Sequence, residues 1–291
     1  MLKKSLLSAA FVLGAAASTS AFSQAADFTN ADALFAVRDQ GADGGLANTL
    51  AARAAYQAIV GAGATQADLT RAIEGVARTY YFQGEVLIGK STDAEKKARK
   101  AVWNECWKKA VEPLSPANFG SLNPVYFYFR ASCMAHEAEV STVVERVVQL
   151  PTLLKTFSDG NKQTTEQLAY EGGGLARVQA AINGNIEAKP LGIFKPTEAL
   201  ALVDSSIVSS GYSVNPEAAA TSGDFFCENF YRKATILSVD NQVPAALELA
   251  NQTVADFTAY LSEEGIIPES IRAETQHCVK QVTEFAAGLS S

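Results

Sequence analysis

The sequence has little of what metal proteins and hydrolases use for chemistry. It contains only two histidines, His136 and His277, in 291 residues. It has no C-x-x-C pair, no H-E-x-x-H zinc motif and no G-x-S-x-G nucleophile turn. These absences argue against a metal site, and any Ser/His/Asp triad would have to use one of the two histidines. Both are predicted inside helices, where an exposed or capping role is expected rather than catalysis.

Positive charge and long apolar runs are also scarce. The chain has 24 Lys and Arg against 31 Asp and Glu, for a net charge of −7. Such an acidic chain has no electrostatic reason to bind nucleic acid or an anionic membrane face. After residue 25, no segment is apolar enough to predict a membrane span.

The first 25 residues have the pattern of a cleaved signal peptide. Lys3 and Lys4 form a positive start, residues 6–17 form a short apolar run, and Ser23-Gln24-Ala25 matches a small-x-small cleavage site. We therefore expect a periplasmic protein whose mature chain, residues 26–291, is a single helical-repeat domain.

Four cysteines follow, an even number in an oxidising compartment. They are Cys106, Cys133, Cys227 and Cys278. Two disulfides are expected, and four cysteines permit three pairings. The spacing favours Cys106–Cys133 across one hairpin and Cys227–Cys278 between neighbouring helices with one full helix between them.

Helical periodicity recurs along the mature chain. One stripe begins at Val143 and another runs from Val243 to Leu261, each with apolar residues three or four positions apart. Thr92-Asp93-Ala94-Glu95 forms a capping box, and Asn123-Pro124 is typical of a helix start. The segment 125–129 has strand-forming residue types, yet we interpret it as helix because helical patterns flank it. The predicted fold is all-α, with antiparallel hairpins stacked as a tetratricopeptide-like solenoid.

Residues 84–91 match the letters of a phosphate-binding loop, G-x-x-x-x-G-K-S. That loop requires a buried strand before it and a helix directly after the Lys-Ser pair. Here residues 73–82 have helical spacing, so we interpret the match as a turn between helices and expect no nucleotide cofactor.

Two other features leave alternatives open. Gly172, Gly173 and Gly174 precede a helix that carries Arg177, which suits either an anion site or a corner of close backbone packing. Tyrosines and tryptophans are concentrated in the first half of the chain, where they either fill the core or line a cleft.

Three features occur in a fixed order along the chain: alanine-rich opening hairpins, an aromatic helix start at Tyr126-Phe127, and a GG-x-x-R corner at residues 173–177. In these features the chain resembles the T component of tripartite ATP-independent periplasmic (TRAP) transporters. The resemblance implies a helical-repeat periplasmic protein that is not an enzyme. It also implies a partner, such as a solute-binding protein, and an ability to form oligomers.

We therefore expect a scaffold that binds a partner protein, a small carboxylate-bearing or apolar ligand, or both. The predicted contact residues are Tyr80, Trp107, Tyr126, Tyr128, Arg130, Glu171, Gly173, Gly174 and Arg177. An arginine beside tyrosines suits a carboxylate, because the guanidinium fork matches it. The alternatives are a structural assembly subunit and an enzyme using His136 with Glu137 or Glu171.

Overall fold

The computed structural model of the chain describes residues 26–62, 65–215 and 218–290. Within these ranges the fold is all-α, as predicted: it has no β-strand and one isolated bridge, between Tyr170 and Tyr212. The α-helices are α1 (Thr29–Ala36), α2 (Leu46–Gly61), α3 (Gln66–Phe82), α4 (Asp93–Glu105), α5 (Pro116–Phe119), α6 (Pro124–Glu139), α7 (Val143–Gly160), α8 (Thr165–Leu168), α9 (Tyr170–Asn183), α10 (Pro196–Ile207), α11 (Cys227–Val239), α12 (Val243–Ser262) and α13 (Glu269–Leu289). The predicted signal peptide lies outside the described residues.

The predicted helix starts are confirmed at atomic level. The Thr92 hydroxyl accepts a hydrogen bond from the Glu95 amide at 3.2 Å, and the Thr92 amide donates to the Glu95 carboxylate at 2.8 Å. At α6, the Asn123 side chain accepts from the Val125 amide at 3.0 Å. These bonds satisfy amides that have no partner within the helix.

The ambiguous segment 125–129 is the first part of α6, the central helix of the largest apolar cluster. All five of its residues are buried, the most exposed being Tyr126 at 8%. A helix that is buried on all sides has no polar face, so its sequence lacks helical periodicity. This burial explains why residue type alone resembled a strand.

Helices that follow one another in the chain pack together, as in α2 with α3, α9 with α10, and α11 with α12. The last helix also meets the first part of the chain. The buried Arg38 side chain bonds Glu274 of α13 at 2.5 Å, and Gln281 donates to Glu85 at 2.9 Å. The two ends of the array therefore touch. The solenoid arrangement itself stays a prediction.

Both predicted disulfides are present. Cys106 pairs with Cys133, with Cα atoms 6.1 Å apart, and Cys227 pairs with Cys278 at 6.2 Å. The first joins the end of α4 to α6, and the second joins α11 to α13 across the intervening α12.

The apolar stripe of α7 does not face the core. Val143 and Val147 are 64% and 50% exposed, and Leu154 is 42% exposed. The core contacts of this helix come from Leu153 and Phe157 instead. The helix was correctly predicted, but Val143 and Val147 face solvent rather than the core.

Candidate functional site

A cavity of about 390 Å³ lies between α6, α7, α9 and α11. One wall is aliphatic, formed by residues such as Leu150, Leu153, Val178 and Ile182. The remaining wall is polar and aromatic. Its members include Tyr81, Glu85, Tyr128, His136, Glu139, Arg146, Arg177, Glu228, Tyr231, Arg232 and Gln281. An apolar body with a few convergent polar groups is typical of a small-molecule site.

α11 contributes the most distinctive polar groups of this cavity. Glu228, Tyr231 and Arg232 are spaced i, i+3 and i+4, so they share one face of the helix. The guanidinium carbon of Arg232 lies 5.4 Å from the centre of the Tyr231 ring. The Arg232 carbonyl accepts a hydrogen bond from the Thr235 hydroxyl, but the guanidinium makes no hydrogen bond, and no ion pair within 4.0 Å, with any residue that the structure describes. The carboxylates of Glu139 and Glu85 interact with its charge over a longer distance. A guanidinium carries five donors, so this cavity holds unused donor capacity.

Glu228 faces the same space. Burial raises the pKa of its carboxyl group, although the nearby Arg177 and Arg232 oppose this rise. In the described part of the chain it has no ion-pair partner within 4.0 Å. The cavity therefore brings together a cation and a carboxyl group that do not neutralise each other by direct contact.

Glu85 lies at one end of the cavity, in a π-helical turn (Gln83–Leu87) that continues α3. It pairs with Arg99 at 2.6 Å, while His136 Nδ1 lies 3.6 Å and His277 Nε2 3.8 Å from its oxygens. Burial alone would raise the pKa of Glu85, but His136, His277 and Arg99 lower it well below the usual range. The segment that matches the phosphate-loop letters, residues 84–91, begins in this helical turn directly after α3 and ends in the link before α4.

The expectation of exposed or capping histidines is wrong for His136. This side chain is 6% exposed and stacks on Trp103, with ring centres 4.8 Å apart. Its Nδ1 atom is buried without a hydrogen-bond partner in the described residues and lies 3.4 Å from Glu139. His136 lines the cavity. The carboxylates near its ring are those of Glu139 and Glu85, not those of Glu137 or Glu171, which the enzyme alternative would use.

The glycine corner at the start of α9 is a kink in left-handed conformation. Glu171, Gly172 and Gly173 have φ values of 55°, 55° and 72°. A Cβ atom at Gly173 would lie 2.7 Å from Ser206 Cα, and one at Gly174 would lie 2.7 Å from the Tyr128 ring. These contacts favour the interpretation of a close-packed corner over an anion site.

Arg177 stabilises this kink. It donates to the Glu171 carbonyl at 3.0 Å, to Asn229 Oδ1 at 3.0 Å and to the Tyr128 hydroxyl at 3.4 Å. Only 5% of its surface is exposed. Its charge reaches the cavity, but most of its donors are used within the protein.

A second cavity, of about 270 Å³, lies on the other side of the kink. The Glu171 carboxylate pairs there with Arg78, which also bonds Glu74 at 3.1 Å. A small cavity of about 40 Å³ shares Tyr128 and Arg177 with the first cavity and Arg78 and Glu171 with the second. The predicted site residues Tyr128, Glu171 and Arg177 therefore all line this small cavity.

Four other predicted contact residues lie elsewhere. Arg53 stacks 3.6 Å from the Tyr80 ring centre, and Trp107 donates to the Glu137 carboxylate. Tyr126 is in the core, and Arg130 bonds the Trp107 carbonyl at 3.3 Å and Glu112 at 3.4 Å. None of Tyr80, Trp107, Tyr126 and Arg130 lines the described cavities. Their role in contacting a partner stays a prediction.

Sequence reasoning missed the α11 residues. Aromatic density drew attention to the first half of the chain, whereas Glu228, Tyr231 and Arg232 stand in the second half. The sequence pattern that could have identified these residues is a charged and aromatic set at helical spacing directly after Cys227. The disulfide at Cys227 anchors the first turn of that helix against α13.

Comparison of the chain with protein-family models and with curated protein sequences finds no match. None of the helices in the described ranges combines the length and the apolar character needed to cross a bilayer. The same ranges contain no group of three or more His, Cys, Asp or Glu side chains placed to hold a metal ion.

Proposed function

We propose that this chain is a non-enzymatic periplasmic scaffold that binds a small carboxylate-bearing ligand in the cavity between α6, α7, α9 and α11. The observation that carries the proposal is the guanidinium of Arg232, which faces this cavity without a hydrogen bond or ion pair to a described residue. A carboxylate would match its planar donors with two parallel hydrogen bonds.

The rest of the cavity suits the body of such a ligand. The aliphatic wall of Leu150, Leu153 and Ile182 offers apolar contact to a ligand. The volume of the whole cavity, about 390 Å³, is that of a small-molecule site. Glu228, on the same helix face as Arg232, offers an acceptor for a hydroxyl or ammonium group of the ligand.

The periplasmic location is part of the proposal. It rests on the signal-peptide pattern and on the two disulfides, because such bonds persist in oxidising compartments. A protein partner, such as a solute-binding protein, is proposed from the sequence resemblance to TRAP transporter T components.

The ligand class can be tested by thermal unfolding of the purified chain with a panel of small carboxylic acids and their uncharged amides. We expect some acids to raise the melting temperature and their amides to have no effect. Arg232→Gln should abolish the increase. Arg130→Gln is the matched control, since Arg130 lies outside the cavity, and it should preserve the increase.

Equal stabilisation by acids and amides would contradict the proposal. An unchanged response in Arg232→Gln would remove Arg232 from the site.

A further inference from the structure

The first two turns of α7 present an apolar face to solvent. Val143, Val144, Val147 and Val148 are 64%, 73%, 50% and 73% exposed. Their spacing of i, i+1, i+4 and i+5 places them side by side on the helix surface. We call these four residues the valine face. Isolated exposed apolar residues are common, but a contiguous group of this kind marks an interaction surface.

The valine face lies at the rim of the ligand cavity. Arg146 and Leu150 of the same helix line that cavity. Arg146 also bonds Glu187 at 2.5 Å, which joins α7 to the segment carrying Ile186, itself 48% exposed. A partner seated on the valine face would therefore lie beside the cavity opening.

A row of lysines adjoins the same face. Lys100 of α4 pairs with Glu145, between the valines of α7, at 2.5 Å. Lys96 and Lys97 lie one turn earlier on α4, on the side of the helix that Lys100 occupies, and both are exposed. Of the cations in residues 90–109, Arg99 is 2% exposed and pairs with Glu85, so Lys96, Lys97 and Lys100 are the lysines that this side of α4 offers to the surface. The valine face therefore has a locally basic border.

These features select one kind of occupant. In a two-fold dimer the same patch meets itself, which would bring the lysine rows of two copies together at a cost in repulsion. An interfacial membrane helix uses Trp, Phe or Leu on its apolar face, and this face has only valines.

We propose that the valine face and the lysines of α4 form the docking surface for a protein whose apolar groove is bordered by Asp and Glu residues. The lysines steer the approach of the acidic border, and the valines fill the groove. The proposal specifies the partner-binding part of the proposed function and does not depend on the cavity ligand.

The test begins with a photo-crosslinking amino acid placed at Val148 of the full chain in its own periplasm. The same probe at Val208, a valine 82% exposed at the end of α10, is the matched control. We expect a protein adduct at Val148 that is absent at Val208. The cross-linked protein is then purified and its dissociation constant for the purified chain is measured at two salt concentrations.

We expect Val144→Asp with Val148→Asp to weaken binding at least tenfold, and Val208→Asp to leave it unchanged. Lys96→Glu with Lys97→Glu should weaken binding and reduce its salt dependence. Because the substituted valines are already exposed, circular dichroism and thermal unfolding should show a folded protein in each variant.

Four results would overturn the proposal. The first is an adduct with a second copy of this chain, and the second is the same adduct pattern at Val148 and Val208. The third is partner binding that Lys96→Glu with Lys97→Glu leaves unchanged. The fourth is binding to phosphatidylglycerol vesicles that Val144→Asp with Val148→Asp abolishes. The carboxylic-acid assay uses the purified chain without a partner. Failure of ligand binding and failure of docking are therefore seen separately.

Discussion

At the residue scale, the structure defines the bonds that Arg177 makes within the protein. From the sequence we expected Arg177 to contact a ligand, and the glycine corner suited either an anion site or close packing. Its buried guanidinium bonds the Glu171 carbonyl and Asn229 at the kink of α9, and its contact with a ligand stays a prediction. A buried charge with such bonds acts first on stability.

We therefore expect Arg177→Ala to lower the free energy of unfolding by roughly 2–4 kcal/mol, because it leaves buried acceptors without their donor. Urea unfolding at 25 °C measures this loss. Arg130→Ala, which removes an arginine from the edge of the core, is the control and should cost less. A fully stable Arg177→Ala variant would show that these bonds contribute little to the free energy of unfolding.

Glu228 should be costly to stability at neutral pH. Burial raises the pKa of its carboxyl group in the folded protein, so the folded chain holds this proton to higher pH than the unfolded chain does. Stability is then lost as the pH rises from the usual glutamate range through the raised value.

Glu228→Gln removes this loss, so we expect its melting temperature to exceed that of the wild type, and by more at pH 8 than at pH 5. Glu248→Gln, at an exposed carboxylate on α12, controls for the removal of one negative charge. If the melting temperature of Glu228→Gln does not rise, or rises equally at both pH values, Glu228 ionises in the folded protein as easily as in the unfolded chain.

The sequence could not identify Arg232 as the exposed donor of the cavity. An arginine on a helix face is usually solvated or paired, and only the positions of its neighbours show that this guanidinium has no hydrogen bond and no close ion pair within the described part of the chain. Tyr128 and Arg177 were among the predicted contact residues, since an aromatic helix start and a glycine corner leave visible patterns. That both line the same cavity depends on tertiary packing, and their contact with a ligand stays a prediction.

At the element scale, the local signals were reliable. The Thr92 capping box and the Asn123-Pro124 helix start need only neighbouring residues, and both are present. The exposed face of α7 was not foreseeable, because helical periodicity shows which residues share a face but not what covers it. The glycine corner was one of two predicted interpretations, but its extension to Glu171 was not foreseen, since this non-glycine residue at φ 55° is held by contacts distant in sequence, such as its pair with Arg78.

The disulfides allow an element-scale prediction. Replacing both cysteines of a pair with serine should destabilise the protein, because the bond restricts the unfolded chain. Sequence separations of 27 and 51 residues give losses of about 3.6 kcal/mol for Cys106–Cys133 and about 4.1 kcal/mol for Cys227–Cys278. Urea unfolding of each double variant, compared with the oxidised wild type, measures them. Losses below about 1 kcal/mol for both pairs would contradict a role in holding these helices together.

At the scale of the whole molecule, the contacts between the two ends of the chain enclose the site. Arg38, which is 1% exposed, reaches across to Glu274 of α13, and Gln281 of α13 bonds Glu85 at the cavity wall. The last helix is therefore part of the wall that places Glu85, His136 and His277 together. Helical periodicity predicts each hairpin but not this closure, because the closure depends on contacts between residues that are far apart in the sequence.

The central claim is that the cavity beside Arg232 binds a small carboxylate-bearing molecule. The most direct test is native mass spectrometry of the protein purified from its own periplasm, measured before and after mild denaturation and repeated with Arg232→Gln. We predict an added small mass that departs on denaturation, carries a carboxylate, and is absent from the variant. A wild-type protein that carries only its own mass with two disulfides, or a passenger that Arg232→Gln retains fully, would contradict the claim.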